Sequence, residues 1–247
     1  MKLSKLTYIS VAILTFASCT KTEFDPYEAP DSGSADFSNY ISIGSSFTQG
    51  FQDGGLHNEF QQQENSYPAI IAAQMGVSFK QPLVTGAGSG YMHLAFLNEK
   101  IEVIKAYDCQ ENDNHPLAIN YDPSFLTWTN QTTAYNNLAI GGLNVRNVIS
   151  FNTTDAITNY ILFGGSTPSG QLAWNCVAGE PISPYGRFLN FGSISNPVDY
   201  IEHVKSSKAT FFTCWLGVHD VMGWANAGGD DVSGSSILTP VASFRTK

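Results

Sequence analysis

Three short apolar runs, spread along 247 residues, each stop at glycine, and this pattern constrains the fold more than any other feature. Tyr40-Ile41-Ser42-Ile43 runs into Gly44, Asn137-Leu138-Ala139-Ile140 runs into Gly141-Gly142, and Ala209 to Leu216 runs into Gly217. Short β-prone runs bounded by turn formers read as buried strands. Segments with helical spacing lie between them, so the predicted fold class is α/β. The expected architecture is a flavodoxin-like, three-layer α/β/α arrangement around a parallel sheet. Sites in such sheets form just beyond the carboxyl ends of the strands, where all three glycine-led loops fall.

The intervening segments carry their own signals. Ser66-Tyr67-Pro68 predicts a helix start with Ser66 as N-cap and Pro68 in the first turn, and Gly76 ends it. Tyr67, Ile70, Ile71 and Met75 share one face of that helix. A further helical stretch is expected near Leu94–Tyr107, and another from Pro197 with Val198, Ile201 and Val204 facing inward. Gly86-Ala87-Gly88-Ser89-Gly90 lacks the G-x-G-x-x-G spacing of a phosphate cradle and reads as a flexible loop. Turn formers such as Gly164-Gly165, Pro181 and Gly192 dominate residues 143–196.

A hydrophobic fraction of 43% with 13% charged residues specifies a globular chain. Its net charge of −9 and the lack of any Lys/Arg cluster exclude a nucleic-acid partner, which needs concentrated cations. No cofactor motif is present. The cysteines show no C-x-x-C spacing, so no zinc site is expected.

Residues 1–19 read as a targeting segment. Lys2 and Lys5 supply a basic start, and Leu6 to Phe16 form an apolar stretch too short to span a bilayer comfortably. Phe16-Ala17-Ser18-Cys19 resembles a lipobox, with Phe where the pattern has Leu. That resemblance implies lipidation of Cys19 and an exported lipoprotein of the outer membrane or cell surface, held to the membrane by its acyl chains. Residues 20–38, rich in Asp, Glu, Pro, Ser and Gly, read as a flexible tether, which leaves residues 39–247 as the folded domain. An exported compartment permits a Cys109–Cys176 disulfide, whereas Cys214, in an aromatic run, is expected to be a buried thiol.

The three glycine-led loops also carry a chemical pattern. Gly44-Ser45-Ser46-Phe47 followed by Gly50 resembles the first block of the SGNH/GDSL hydrolases, with Ser45 at the Asp position, Ser46 at the nucleophile position and Phe47 at the Leu position. Gly142 matches the second block, where a glycine N–H serves the oxyanion hole. Gly217-Val218-His219-Asp220 resembles the third block, G-x-N-D, with His219 in place of the Asn whose amide completes that hole. Asn65-Ser66-Tyr67-Pro68 and Pro184-Tyr185-Gly186-Arg187-Phe188 are similar to a lipoprotein branch of the family from Bacteroides-like bacteria.

The resemblance implies ester hydrolysis through an acyl-enzyme on Ser46, with Gly142 and His219 as oxyanion donors. The substrate would be a small-molecule, lipid or acylated-glycan ester. The family's D-x-x-H block, which holds the general base, has no counterpart. None of His57, His93, His115, His203 and His219 follows an Asp by three positions, and Lys247 comes soon after Asp220. The expectation is a domain incomplete at its C-terminus and prone to aggregate. His219 as base is the less favoured assignment, and His57 reads as a surface-loop residue. The alternative function is a non-catalytic surface lipoprotein, either a degenerate hydrolase or a glycan- or peptide-binding module. Trp128, Trp174 and Trp224 are its candidate platform.

Overall fold

The computed structural model describes residues 31–105, 115–120, 134–145, 147–150, 199–226, 228–229, 238 and 241–245. The chain divides into two compact units, Met1–Ser34 and Ala35–Lys247, and everything below concerns the second. Cys19, the lipobox and most of the tether lie outside the described residues. So do Cys109, Cys176, Trp128, Trp174, Val198 and the Pro184–Phe188 segment. No described helix is long and apolar enough to cross a membrane.

The fold is mixed α/β, with one small parallel sheet and two antiparallel strand pairs, the shorter of which joins β2 (Gly90–Tyr91) to β5 (Ile119–Asn120). Strand β1 (Tyr40–Gly44) pairs in parallel with β6 (Phe211–Trp215), in a register that sets Ser42 beside Thr213 and Gly44 beside Trp215. On the other side of β1 the chain from Asn136 to Ile140 runs parallel to it, as an extended segment with one isolated bridge between Ser42 and Asn137 and not as the regular strand expected. Ser42 N–H donates to Asn136 O, Leu138 N–H to Ser42 O and Ile140 N–H to Gly44 O, at 2.9, 2.9 and 3.0 Å. All three glycine-terminated runs therefore lie side by side, with β1 in the middle.

Alternation along β1 sends its residues to two faces. Ile41 and Ile43 pack with Leu138, Ile140, Leu143, Val148 and Tyr200 in the apolar core. Tyr40 and Ser42 face the other way, where Tyr40 stacks on Phe79 at 5.3 Å and its hydroxyl lies 2.8 Å from Thr213 Oγ1. Tyr200 opens a helix over Tyr200–Ser206 with Asp199 as N-cap, so this helix begins later than Pro197. Its fully buried ring is the main apolar anchor of that helix, with Ile201 and Val204 packed around it. The predicted inner set lacked this tyrosine.

β6 departs from the expectation of a buried strand. Among the described residues it has a neighbour on one side only, and Phe212 and Trp215 are 59% and 49% exposed. Cys214 is an exposed free thiol, not a buried one. Apolar composition alone did not reveal this exposure.

The segment expected to be helical near Leu94–Tyr107 is a β-hairpin. β3 (His93–Leu97) pairs antiparallel with β4 (Lys100–Ile104) through a two-residue turn at Asn98 and Glu99. Both turn residues have positive φ, 49° and 65°, which is the primed geometry that matches the twist of paired strands. Period-two alternation through Leu94, Phe96, Ile101 and Val103 outweighs helical spacing here.

The helix that follows Ser66 spans Tyr67–Met75, as the sequence indicates, and Gly76 closes it in the left-handed region. Its buried residues are Pro68 and Ala72, while Ile70 is exposed. Ser66 occupies the N-cap position, but its hydroxyl bonds Gln81 Oε1 and does not cap the helix. The Gly86–Gly90 segment is ordered by consecutive turns and tied down by the Ser89 N–H to Leu56 O bond at 2.9 Å. Gly88 has φ +52°, and a Cβ there would strike Leu56 O, so close packing explains the glycine.

Candidate functional site

The parallel register of β1 and β6 decides what meets at the carboxyl edge of the sheet. Gly44 and Trp215 end their strands side by side, so the loops that leave them start together. Ser46 opens a one-turn helix, α1 (Ser46–Gln49), directly after the first loop, and Gly50 closes it with φ 100°. A Cβ on Gly44 would collide with the Thr48 side chain and come within 2.9 Å of Trp215 O, so only glycine permits this tight strand-to-helix turn. Gly217, with φ 100°, turns the second loop into the Val218–Asp220 helical turn.

These two turns bring Ser46 and His219 together. Ser46 Oγ lies 3.1 Å from His219 Nε2, within hydrogen-bonding range. With Nε2 unprotonated, the serine hydroxyl donates to the ring, which is the pairing a nucleophile–base couple requires. The expected oxyanion-donor position of His219 is therefore occupied by a side chain that faces the serine hydroxyl itself. Asp220 is buried, and its Oδ2 accepts the backbone N–H of Val145 at 2.9 Å. Among the described residues no carboxylate engages His219 Nδ1.

The loop after Ile140 brings Gly142 to the same edge. Ile140 N–H continues the ladder to Gly44 O, and Leu143 N–H turns back to Ile140 O at 3.1 Å. Between them, Gly141 N–H donates to the side-chain Oε1 of Gln49 at 2.8 Å. Gly142 sits in the left-handed region at φ 79°. Within Ile140–Leu143, its N–H is the one amide without an acceptor among the described residues. Ser46 N–H, at the start of α1, likewise has none, as expected for the first turn of a helix.

Buried amides hold α1 against the sheet. Asn137 Nδ2 donates to Thr48 O at 2.8 Å and to Gln81 Oε1 at 2.9 Å. Gln63 Nε2 donates to Gln49 O, and its Oε1 accepts Val84 N–H at 2.8 Å. Sequence reasoning did not single out Gln49, Asn137 or Gln63. The available signal was position alone, a glutamine three residues past Ser46 and so within the same helical turn.

Phe47 and Trp215 form an aromatic wall beside the serine. Their rings stack at 6.0 Å, Tyr67 lies 5.5 Å from Trp215, and Phe47 and Trp215 are each about half exposed. Trp224, further along the chain, is 39% exposed.

His57 is not a surface-loop residue. It is fully buried, stacks on Tyr91 at 4.1 Å, and has Nε2 3.6 Å from Asp53 Oδ2. Burial pushes its pKa down, against the opposing pull of the Asp53 and Glu59 carboxylates. A cavity of about 340 Å³ beside it is lined by Asp53, Phe60, Tyr91 and Met92, and includes neither Ser46 nor His219. Among the described residues, no three His, Cys, Asp or Glu side chains come together as metal ligands.

No protein-family model, no curated protein and no solved structure matches this chain.

Proposed function

We propose that this protein is a serine ester hydrolase of the SGNH/GDSL type, with Ser46 as nucleophile and His219 as its general base. The reading rests on the 3.1 Å contact between Ser46 Oγ and His219 Nε2 at the carboxyl edge of a parallel sheet. It assigns the chain a flavodoxin-like three-layer architecture, of which the small parallel sheet is the coarse counterpart. His219 moves from the oxyanion role that the family pattern implies to the role of base. Gly142 N–H and Ser46 N–H then remain as donors to the oxyanion.

Chemistry follows from those positions. Ser46 Oγ attacks the ester carbonyl carbon as its proton passes to His219 Nε2, and the carbonyl π pair moves onto oxygen. The backbone N–H groups of Gly142 and Ser46 stabilise that charge. Collapse expels the alkoxide, which takes the proton from His219 and leaves an acyl-enzyme. Water then attacks the acyl carbon, delivers its proton to His219, and a second collapse returns Ser46 and releases the acid. The half-exposed wall of Phe47 and Trp215 favours esters with an apolar acyl or aryl group.

One observation favours the alternative, a non-catalytic surface lipoprotein. Among the described residues no carboxylate orients His219, because Asp220 bonds Val145. A fluorophosphonate probe separates the two readings. The hydrolase labels on Ser46, and both Ser46→Ala and His219→Gln abolish or slow labelling; absence of labelling in folded wild-type protein rejects it. Anchoring through Cys19 belongs to the same proposal. A fatty-acid analogue fed to cells labels the full chain and not Cys19→Ala, and equal labelling of the two rejects the anchor.

A further inference from the structure

We infer that Gln49 is a positioning residue that aims the Gly142 N–H at the reacting oxygen, an inference that rests on the hydrolase reading above. The side chain of Gln49 is fully buried at the end of α1, the helix that carries Ser46. Its Oε1 accepts the N–H of Gly141 at 2.8 Å and thereby ties the nucleophile's helix directly to the oxyanion loop. The next amide along, Gly142 N–H, has no acceptor among the described residues.

The two neighbouring amides differ in what they bond: Gly141 N–H has the Gln49 acceptor and, among the described residues, Gly142 N–H has none. In a loop of this kind, two adjacent N–H groups could compete for the developing negative charge or rotate away from it. Gln49 occupies the first and the Ile140 carbonyl occupies Leu143, so the peptide between them is held from both sides. Gly142 adopts φ 79°, a conformation that a side chain would strain. Asp220 fixes the far end of the same loop through Val145. Displacing an oxyanion donor by about 1 Å costs on the order of 100-fold in rate, so a rigid tether from the nucleophile's own helix has a direct catalytic consequence.

The test compares wild type, Gln49→Met and Gln49→Glu on p-nitrophenyl butyrate, with thermal melts alongside. Methionine fills the space without an acceptor, whereas a carboxylate oxygen still accepts Gly141 N–H. The expected result is a fall in kcat of about 10- to 100-fold for Gln49→Met with KM within about twofold, and substantial recovery in Gln49→Glu. A folded Gln49→Met with wild-type kcat overturns the inference, and so does equal impairment of both variants.

A second measurement needs no variant. In wild-type protein phosphonylated on Ser46, the Gly142 amide proton moves downfield while that of Gly141 stays in place. Movement of Gly141 instead, or of neither, overturns the inference. Wild type that neither turns over ester nor labels on Ser46 rejects the hydrolase reading itself, a result distinct from failure of the Gln49 role alone.

Discussion

Asp220 directs its carboxylate to the backbone N–H of Val145, 2.9 Å away, so the residue next to His219 serves the Gly142 loop and not the imidazole. In a Ser-His-Asp triad the carboxylate fixes the histidine tautomer, and its amide isostere loses about 10⁴ in kcat. Asp220→Asn keeps an oxygen acceptor for Val145 and touches no tautomer. Its kcat is expected within about tenfold of wild type, while Asp220→Ala loses about 1–3 kcal/mol of stability because Val145 N–H is left unpaired. Ester kinetics and denaturation of both variants check this; a loss near 10⁴ in Asp220→Asn would show that it orients His219 after all.

Gly44 stands where β1, α1 and the end of β6 meet. A methyl group there clashes with the Thr48 side chain and with Trp215 O. Gly44→Ala is expected to cost about 1–3 kcal/mol and to slow probe labelling of Ser46, since the two strand ends must separate. Urea denaturation and labelling kinetics measure both effects, and an unchanged midpoint would refute the close approach.

Tyr200 joins the core to the second glycine-led run, because its buried hydroxyl donates to Leu138 O at 2.6 Å. Burial pushes its phenol far above the ordinary tyrosine range, so it remains a donor at any accessible pH. Tyr200→Phe keeps the ring and strands the Leu138 carbonyl, with an expected loss of about 1–3 kcal/mol. A denaturation midpoint equal to that of wild type would mean that the carbonyl finds another donor.

Acid sensitivity should begin above the carboxylate range. Burial lowers the pKa of both His57 and His203 in the folded state. The unfolded chain, with imidazoles near about 6.5, therefore takes up protons first, and stability falls as pH drops below that value. Denaturation midpoints at about pH 7.5 and 5.5 test the sign, with the lower midpoint expected at the acid value. His57→Gln is expected to flatten the difference, and a midpoint that rises on acidification would contradict the assignment.

Local chemistry made part of this legible in the sequence. Gly44, Gly76 and Gly217 mark the ends of their elements because a close approach at Gly44 and a positive φ at Gly76 and Gly217 favour glycine, and such demands show in single residues. The run Tyr40–Ile43 reads as a strand because a short β-prone run stops at the Gly44 turn. The hairpin at His93–Ile104 was misread because short apolar runs satisfy helical and extended spacing alike, and the turn at Asn98-Glu99 carries no glycine to separate them. The burial of His57 and the exposure of Cys214 were misread because burial depends on which neighbours arrive from elsewhere in the chain.

The candidate site divides along the same line. By itself the sequence determined two strand-to-loop junctions, one extended run that ends at glycine, and the residues that stand beyond them, Ser46, Gly142 and His219, since strand ends and turns are decided by a handful of adjacent residues. Only the tertiary structure decided what those residues do together. The parallel register that sets Gly44 beside Trp215 turns His219 toward Ser46, and Gln49 and Asp220 fix the loop that carries Gly142. Those are contacts between residues up to 173 positions apart, and their distances follow from sheet pairing and side-chain packing, which no local pattern encodes.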